Sequence, residues 1–176
     1  MKYLIPIISL VVLTIYAYSG TSETIEIKAK DTPKSVDTQV KVDPRKEKLY
    51  NFFAHYNALV GINIDEFIET ADRYNLDYRL LPAIAGSEST FGRYTPSCAD
   101  FNPFGWTSTT SPCHFWRFKS FSEAIGFVGE KISTNPSYSK YQKTGRIEDL
   151  AISYNPGGTE EWTKKVTGFM REIEDY

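Results

Sequence analysis

A chain of 176 residues has room for one ordinary domain once its N-terminal appendages are set aside. Its net charge of -2, with both signs mixed along the chain, leaves no electrostatic footprint for nucleic acid. Aromatic residues make up 15%, including twelve Tyr and three Trp, which suits a sugar- or peptide-binding cleft and equally a Tyr-rich core.

Residues 1–19 (MKYLIPIISLVVLTIYAYS) carry one Lys, then an apolar run, then Ala17-Tyr18-Ser19, the small-x-small pattern of a signal-peptidase site. The run is short for a membrane span and Pro6 interrupts it, so a cleaved export signal is favoured over a retained N-terminal anchor. Either way the remainder is expected outside the cell, with a membrane tether only if the segment stays. Residues 20–44 hold no aromatic side chain and many Thr, Ser, Lys and Asp, the composition of a disordered linker; only TIEIK and TQVKV hint at an edge strand. One folded domain is expected over 45–176.

Asp43-Pro44 fits the N-cap and first position of a helix whose apolar face is Leu49, Phe52, Phe53 and Tyr56. Asn63, with Glu66 three residues on, opens a second helix that turns Phe67, Ile68, Ala71 and Tyr74 inward. Asn75-Leu76-Asp77 leads into the stretch Leu80–Arg93, LLPAIAGSESTFGR, around which the chain is organised. Pro82 is acceptable in the first turn of a helix, and Gly92 suits a left-handed residue just past its end. Leu81, Ile84, Ala85 and Glu88 fall at i, i+3, i+4 and i+7 and share one face. Desolvation by that face and the negative end of the helix both favour a protonated Glu88, the state a general acid needs. The alternative is a Glu88 that reaches water or pairs with Arg93.

From Tyr94 to Phe118 the helical period disappears, with FGWTS and HFWRF as candidate strands of a small hairpin. Ser120 and Glu123 form a capping box, after which Phe121, Ala124, Ile125, Val128 and Ile132 mark a long helix. Asn135-Pro136 opens a short helix through Tyr138 and Tyr141 that stops at Gly145. Ile147, Leu150, Ala151 and Tyr154 repeat the stripe until Asn155-Pro156-Gly157-Gly158 breaks it. Thr159, followed by Glu160 and Glu161, is expected to cap a last helix facing inward through Trp162, Val166, Phe169, Met170 and Ile173. The expected fold is mainly α, with about six or seven helices and one small β-hairpin.

Cys98 and Cys113 flank the irregular segment. In an exported chain an even count favours a disulfide over two free thiols; it would close a loop of about 15 residues and add roughly 3 kcal/mol. His55 and His114 show no metal-ligand spacing with the cysteines. Gly86-Ser87-Glu88-Ser89 lacks the glycine that must follow a nucleophile-elbow serine, so Ser87 is expected to pack against a neighbouring helix. Gly157-Gly158 precedes acidic residues where a phosphate would sit. No metal and no cofactor are expected.

Four segments together carry a resemblance. Ala83–Gly92 (AIAGSESTFG) looks like the catalytic-helix motif of the lysozyme-like superfamily, in which a Glu-Ser pair ends a helix. Asn102-Pro103-Phe104-Gly105-Trp106 is similar to the Asn-x-Phe-Gly segment of bacterial cell-wall glucosaminidases, and Phe118–Ile125 resembles the segment that follows it there. Ala151–Gly157, with Trp162 and Val166 behind it, resembles the Tyr-Asn motif of lytic transglycosylases. The resemblance covers about residues 46–175 and implies a lysozyme-like glycosidase domain acting on peptidoglycan glycan strands, without cofactor and as a monomer.

By that resemblance Glu88 is the general acid and Tyr154 the tyrosine beside it. Ser89, Asn102, Phe104, Gly105, Trp106 and Asn155 would border the glycan cleft. Tyr154 also fits a core position, and Trp106 and Trp116 would serve either as sugar-stacking platforms or as cross-strand partners in the hairpin. Asp100 is the only acid inside the cleft loop and a weak candidate for a second carboxylate, since Glu123 is expected to cap a helix. A substrate whose own 2-acetamido group attacks would remove the need for one. The activities implied are endo-N-acetylglucosaminidase or, alternatively, lytic transglycosylase or muramidase. A wall-glycan-binding module without turnover is the rival from another class.

Overall fold

In a computed structural model, residues 42–58, 63–111 and 113–176 are described. The expectations for the export signal and for nearly all of the linker lie outside them. Seven α-helices occur in this part: α1 (Pro44–His55), α2 (Ile64–Tyr74), α3 (Leu80–Ser89), α4 (Phe121–Thr134), α5 (Ser139–Thr144), α6 (Ile147–Tyr154) and α7 (Thr159–Asp175). A 3-10 turn, Pro136–Tyr138, enters α5. The fold is mainly α.

Local chemistry explains most of the helix starts. The Asp43 carboxylate accepts from Arg45 N–H, with Pro44 at the first helical position. Asn63 Oδ1 and Ser120 Oγ each accept from the amide three residues on, at 3.3 and 3.1 Å. The expected reciprocal half of each box is not made: Glu66 takes the Thr70 hydroxyl, and Glu123 takes Lys119 N–H. Thr159 is not a cap either. It is the first residue of α7, Gly158 holds the cap position without a side chain, and Glu160 and Glu161 complement the helix dipole there.

α3 was expected to bury one face, but Leu80 through Gly86 and Ser89 are all buried, leaving only Ser87 and Glu88 part-exposed. A helix apolar on all sides belongs at the centre of a fold, and α7 and α2 pack against it. Gly86 permits the close approach: a Cβ there would stand 2.7 Å from the Phe91 ring and 3.1 Å from Phe169. Phe52, Phe53, Tyr56, Phe91 and Phe169 interlock around this point with centroids 5.0–6.0 Å apart.

The exit from α3 is sharper than Gly92 alone would make it. Thr90, Phe91 and Gly92 take φ of 50°, 61° and 85° in succession. A left-handed residue with a side chain costs about 1–2 kcal/mol. The turn sends the Phe91 ring back into the core, edge-on to Phe52 at 5.3 Å, and burying such a ring contributes about 1.5–3 kcal/mol.

Residues 94–118 are irregular, as the loss of period implied. The expected hairpin shrinks to one isolated antiparallel bridge, Thr107 to Phe115, and no strand occurs among the described residues. Only Trp116 N–H to Trp106 O and Ser108 N–H to His114 O flank it, both 2.8 Å; left-handed His114 then turns the chain.

Cys98 and Cys113 are bridged, with Cα atoms 6.3 Å apart. Closure of this loop is worth roughly 3 kcal/mol. Reduction, or the double Cys98→Ser, Cys113→Ser variant, is therefore expected to lower the melting temperature by several degrees, about 10 °C for a domain of this size. Equal melting curves with and without reductant would contradict it.

Candidate active site

The C-terminal end of α3, the loop Asn102–Trp106, the end of α6 and the start of α7 meet around Glu88. Glu88 Oε1 accepts a hydrogen bond of 2.6 Å from Trp162 Nε1. Oε2 faces Gly105, where a Cβ would stand 2.9 Å away. Gly105 also has φ +61°, so glycine serves both the turn, which it makes without strain, and the close approach to the acid. Arg93, the alternative partner, donates instead to the carbonyl of Tyr56 at 2.7 Å. Glu88 is half-buried, bonded to an indole and, among the described residues, in no ion pair.

Burial raises the Glu88 pKa above its ordinary value, and the Trp162 N–H and the Lys165 charge pull against that rise. A donor that prefers the carboxylate form moderates the upward shift that desolvation imposes. Trp162→Phe removes this donor, so the Glu88 pKa should climb further. For an enzyme that needs Glu88 protonated, the basic limb of its pH–rate profile should move to higher pH; a shift downward or none would count against the assignment.

Tyr154 lies next to this pair. Its ring stacks on Trp162 with centroids 5.1 Å apart, and its hydroxyl donates to Phe104 O at 2.8 Å. Burial, followed by the Glu88 charge, pushes the phenol well above its ordinary range, so it stays protonated and holds the loop. Trp106 meets Tyr154 edge-on at 6.0 Å. Together they line a surface pocket of about 210 Å³ with Gly105, Thr107, Tyr138 and Ser153.

Several expected cleft residues act behind this surface. Asn102 is 1% exposed; its Nδ2 donates to Trp106 O and Trp116 O at 2.9 Å each, and its Oδ1 accepts Trp106 N–H at 3.0 Å. All of these bonds are internal, so Asn102 sets the shape of the loop. Ser89 is buried too, donating to Pro103 O and accepting Gly92 N–H, both 2.7 Å. The Phe104 side chain is fully buried and offers only its carbonyl, to Tyr154. Asn155 ends α6 through its backbone N–H to Ala151 O, its side chain lying against Gly158.

Asp100 and Trp116 stand apart. Asp100 is exposed and paired with Arg117. Trp116 is 40% exposed and stacks on Phe127 at 5.3 Å, while Trp106 packs edge-on against the same Phe127 at 5.7 Å. Neither Asp100 nor any other carboxylate is among the groups that shift Glu88.

Sequence reasoning placed Trp162 in the core and gave Tyr138 and Ser153 no role at the site. For Trp162 a signal existed, since a buried indole N–H needs an acceptor. Tyr138 and Ser153 reach the pocket only through the way the 3-10 turn packs on α6, bonded by Ser153 Oγ to Ser137 O at 2.6 Å. Comparison of the chain with protein-family models, with curated proteins and with solved structures finds no match, so the chemistry of the site is argued from its own residues.

Proposed function

We propose that this is a lysozyme-like enzyme that cleaves the β-1,4 glycosidic bonds of peptidoglycan glycan strands, in the manner of an endo-N-acetylglucosaminidase. Glu88 carries the reading: a half-buried carboxyl with a raised pKa, in no ion pair among the described residues, at the end of the central helix and against the loop that borders an aromatic pocket. Such a group can give its proton to the leaving glycosidic oxygen. Trp106 and Tyr154 offer apolar faces to a pyranose ring, and the Tyr138 and Ser153 side chains border the same pocket. The protein acts outside the cell as a monomer, exported or tethered through residues 1–19.

One observation favours a second reading within the same chemistry. Two-carboxylate glycosidases place the acids within about 5–10 Å of each other, whereas Asp100, the one acid of the cleft loop, is exposed and paired with Arg117. Attack by the substrate's own 2-acetamido group, or transglycosylation to an anhydro end, needs no second acid. Mass spectrometry of peptidoglycan digested by the purified protein decides: a reducing N-acetylglucosamine end supports the first reading, and reducing or anhydro muramic acid ends support a muramidase or a lytic transglycosylase. Binding to the wall without any product would leave the non-catalytic glycan-binding module.

A further inference from the structure

A second pocket shares no residue with the surroundings of Glu88. It has a volume of about 250 Å³ and lies where α2, α4 and α5 all end. Tyr74 and the left-handed cap Asn75 come from α2, Ser133 from the last turn of α4, and Tyr141, Gln142 and the left-handed cap Gly145 from α5. Helix C-termini carry the negative end of the peptide dipole and carbonyls without an intrahelical partner. Part of this demand is met internally: Ser133 Oγ donates to Tyr74 O at 3.2 Å, and Gln142 Nε2 to Ile132 O and Asn135 O at 3.0 and 2.9 Å. The basic residues of the three last turns, Arg73, Lys131 and Lys143, do not line the pocket; Lys131 is held by Glu130 and the Phe127 ring.

Tyr141 is the second observation. It is only 7% exposed, yet its hydroxyl has no hydrogen-bond partner among the described residues. No side-chain oxygen among these residues is both sealed and unpaired, so solvent reaches this hydroxyl, and Tyr141 lines the pocket. Burial, with Asp77 adding to it, pushes this phenol up to about 12, so it remains neutral and can accept from a charged donor. Asp77 itself is paired with Arg79 at 2.6 Å.

We propose that this pocket binds a small organic cation, an alkylammonium or guanidinium group of the size carried by a lysine or arginine side chain. Three helix C-termini supply the negative potential, the unpartnered Tyr141 hydroxyl supplies an acceptor, and the Tyr74 and Tyr141 rings supply aromatic walls. The volume lies below the range of about 300–1,000 Å³ usual for drug-sized ligands, which suits a single residue-sized group. The proposal is independent of the chemistry at Glu88.

The test is an amide-resolved NMR titration of the full chain with Nα-acetyl-lysine methylamide, with the neutral Nα-acetyl-norleucine methylamide and with inorganic phosphate. The lysine probe should shift the amides of Asn75, Ser133 and Gly145 saturably, while the other two leave them in place. Tyr141→Phe removes an oxygen with no internal partner, so its melting temperature should hold while the lysine probe binds about tenfold more weakly, the order expected for one hydrogen bond to a charged group. Equal shifts with the neutral probe, a response to phosphate, no saturable shift, or unchanged affinity in the variant would each overturn the assignment. The comparison of charged and neutral probes on the unmodified chain stands whether or not the variant folds.

Discussion

Glu88→Gln is expected to remove glycan cleavage while leaving the fold intact. The amide keeps the size of the side chain, and its oxygen can still accept the Trp162 N–H, so the geometry around the site persists. What disappears is the dissociable proton. General acid catalysis accounts for roughly 10²–10⁴-fold, and a loss of at least that order should appear in peptidoglycan digestion. Stability should respond in the opposite sense. Glu88 has its pKa raised in the folded state, so it favours folding fully below its ordinary value of 4.5 and loses that advantage as pH rises through the folded pKa. A variant that cannot ionise escapes this loss: the two proteins should melt alike near pH 4 and Glu88→Gln should melt higher at pH 7. Retained digestion combined with a lower melting temperature would instead mark Glu88 as structural.

Asn102→Ala should be a strongly damaging change in the loop. It deletes three internal hydrogen bonds and leaves Trp106 N–H and Trp116 O without a partner, while Trp106 O keeps the Trp116 N–H. A group left unpaired away from water costs about 1–3 kcal/mol, so with two part-buried groups unpaired a loss of about 2–3 kcal/mol is expected. That corresponds to a fall in melting temperature on the order of 10 °C. Activity should fall with it, because the same three bonds hold Gly105 against Glu88. Asn102→Asp keeps an acceptor for Trp106 N–H but sets a carboxylate oxygen against the Trp106 and Trp116 carbonyls, and should be at least as damaging near pH 7. If Asn102→Ala melts like the unmodified protein while losing activity, the side chain touches substrate and is not the clamp of the loop.

The helices were legible because apolar spacing and caps act locally. Asp43, Asn63, Ser120 and Asn135 cap where their side chains can reach a nearby amide, and Gly145 ends α5 because that turn needs a left-handed residue. Thr159 misled because a hydroxyl before two acidic residues fits the first turn as well as the cap. The central helix misled in a different way. Ala83 and Gly86 carry little apolar weight in a periodic pattern, yet small residues allow α7 and the Phe91 ring to close over the remaining faces. At the site, Glu88, Gly105, Trp106 and Tyr154 were visible as residue types, and the structure brings them together. The inward commitments of Asn102 and Ser89 were not, since a polar side chain reads the same whether it clamps a backbone or faces solvent. Nor could spacing reveal that a Trp in the last helix completes the acid's surroundings.

That last contact has a consequence for the order of events on the way to the native state. Trp162 and Glu88 are separated by 74 positions in the chain, and α7 emerges after the other described helices during synthesis. Closing so long a loop is slow compared with forming local helices. A nascent chain therefore carries Glu88 on a helix whose other faces still wait for α7, and the acid has neither its indole partner nor its desolvated setting until the last helix docks. The surroundings of Glu88 stay incomplete until α7 is in place. A chain stopped at Gly158 should accordingly lose cooperative melting and all glycan cleavage, although it retains Glu88, Tyr154 and the whole disulfide loop. A cooperative transition in that fragment, seen by circular dichroism, would show that the rest of the domain assembles without α7.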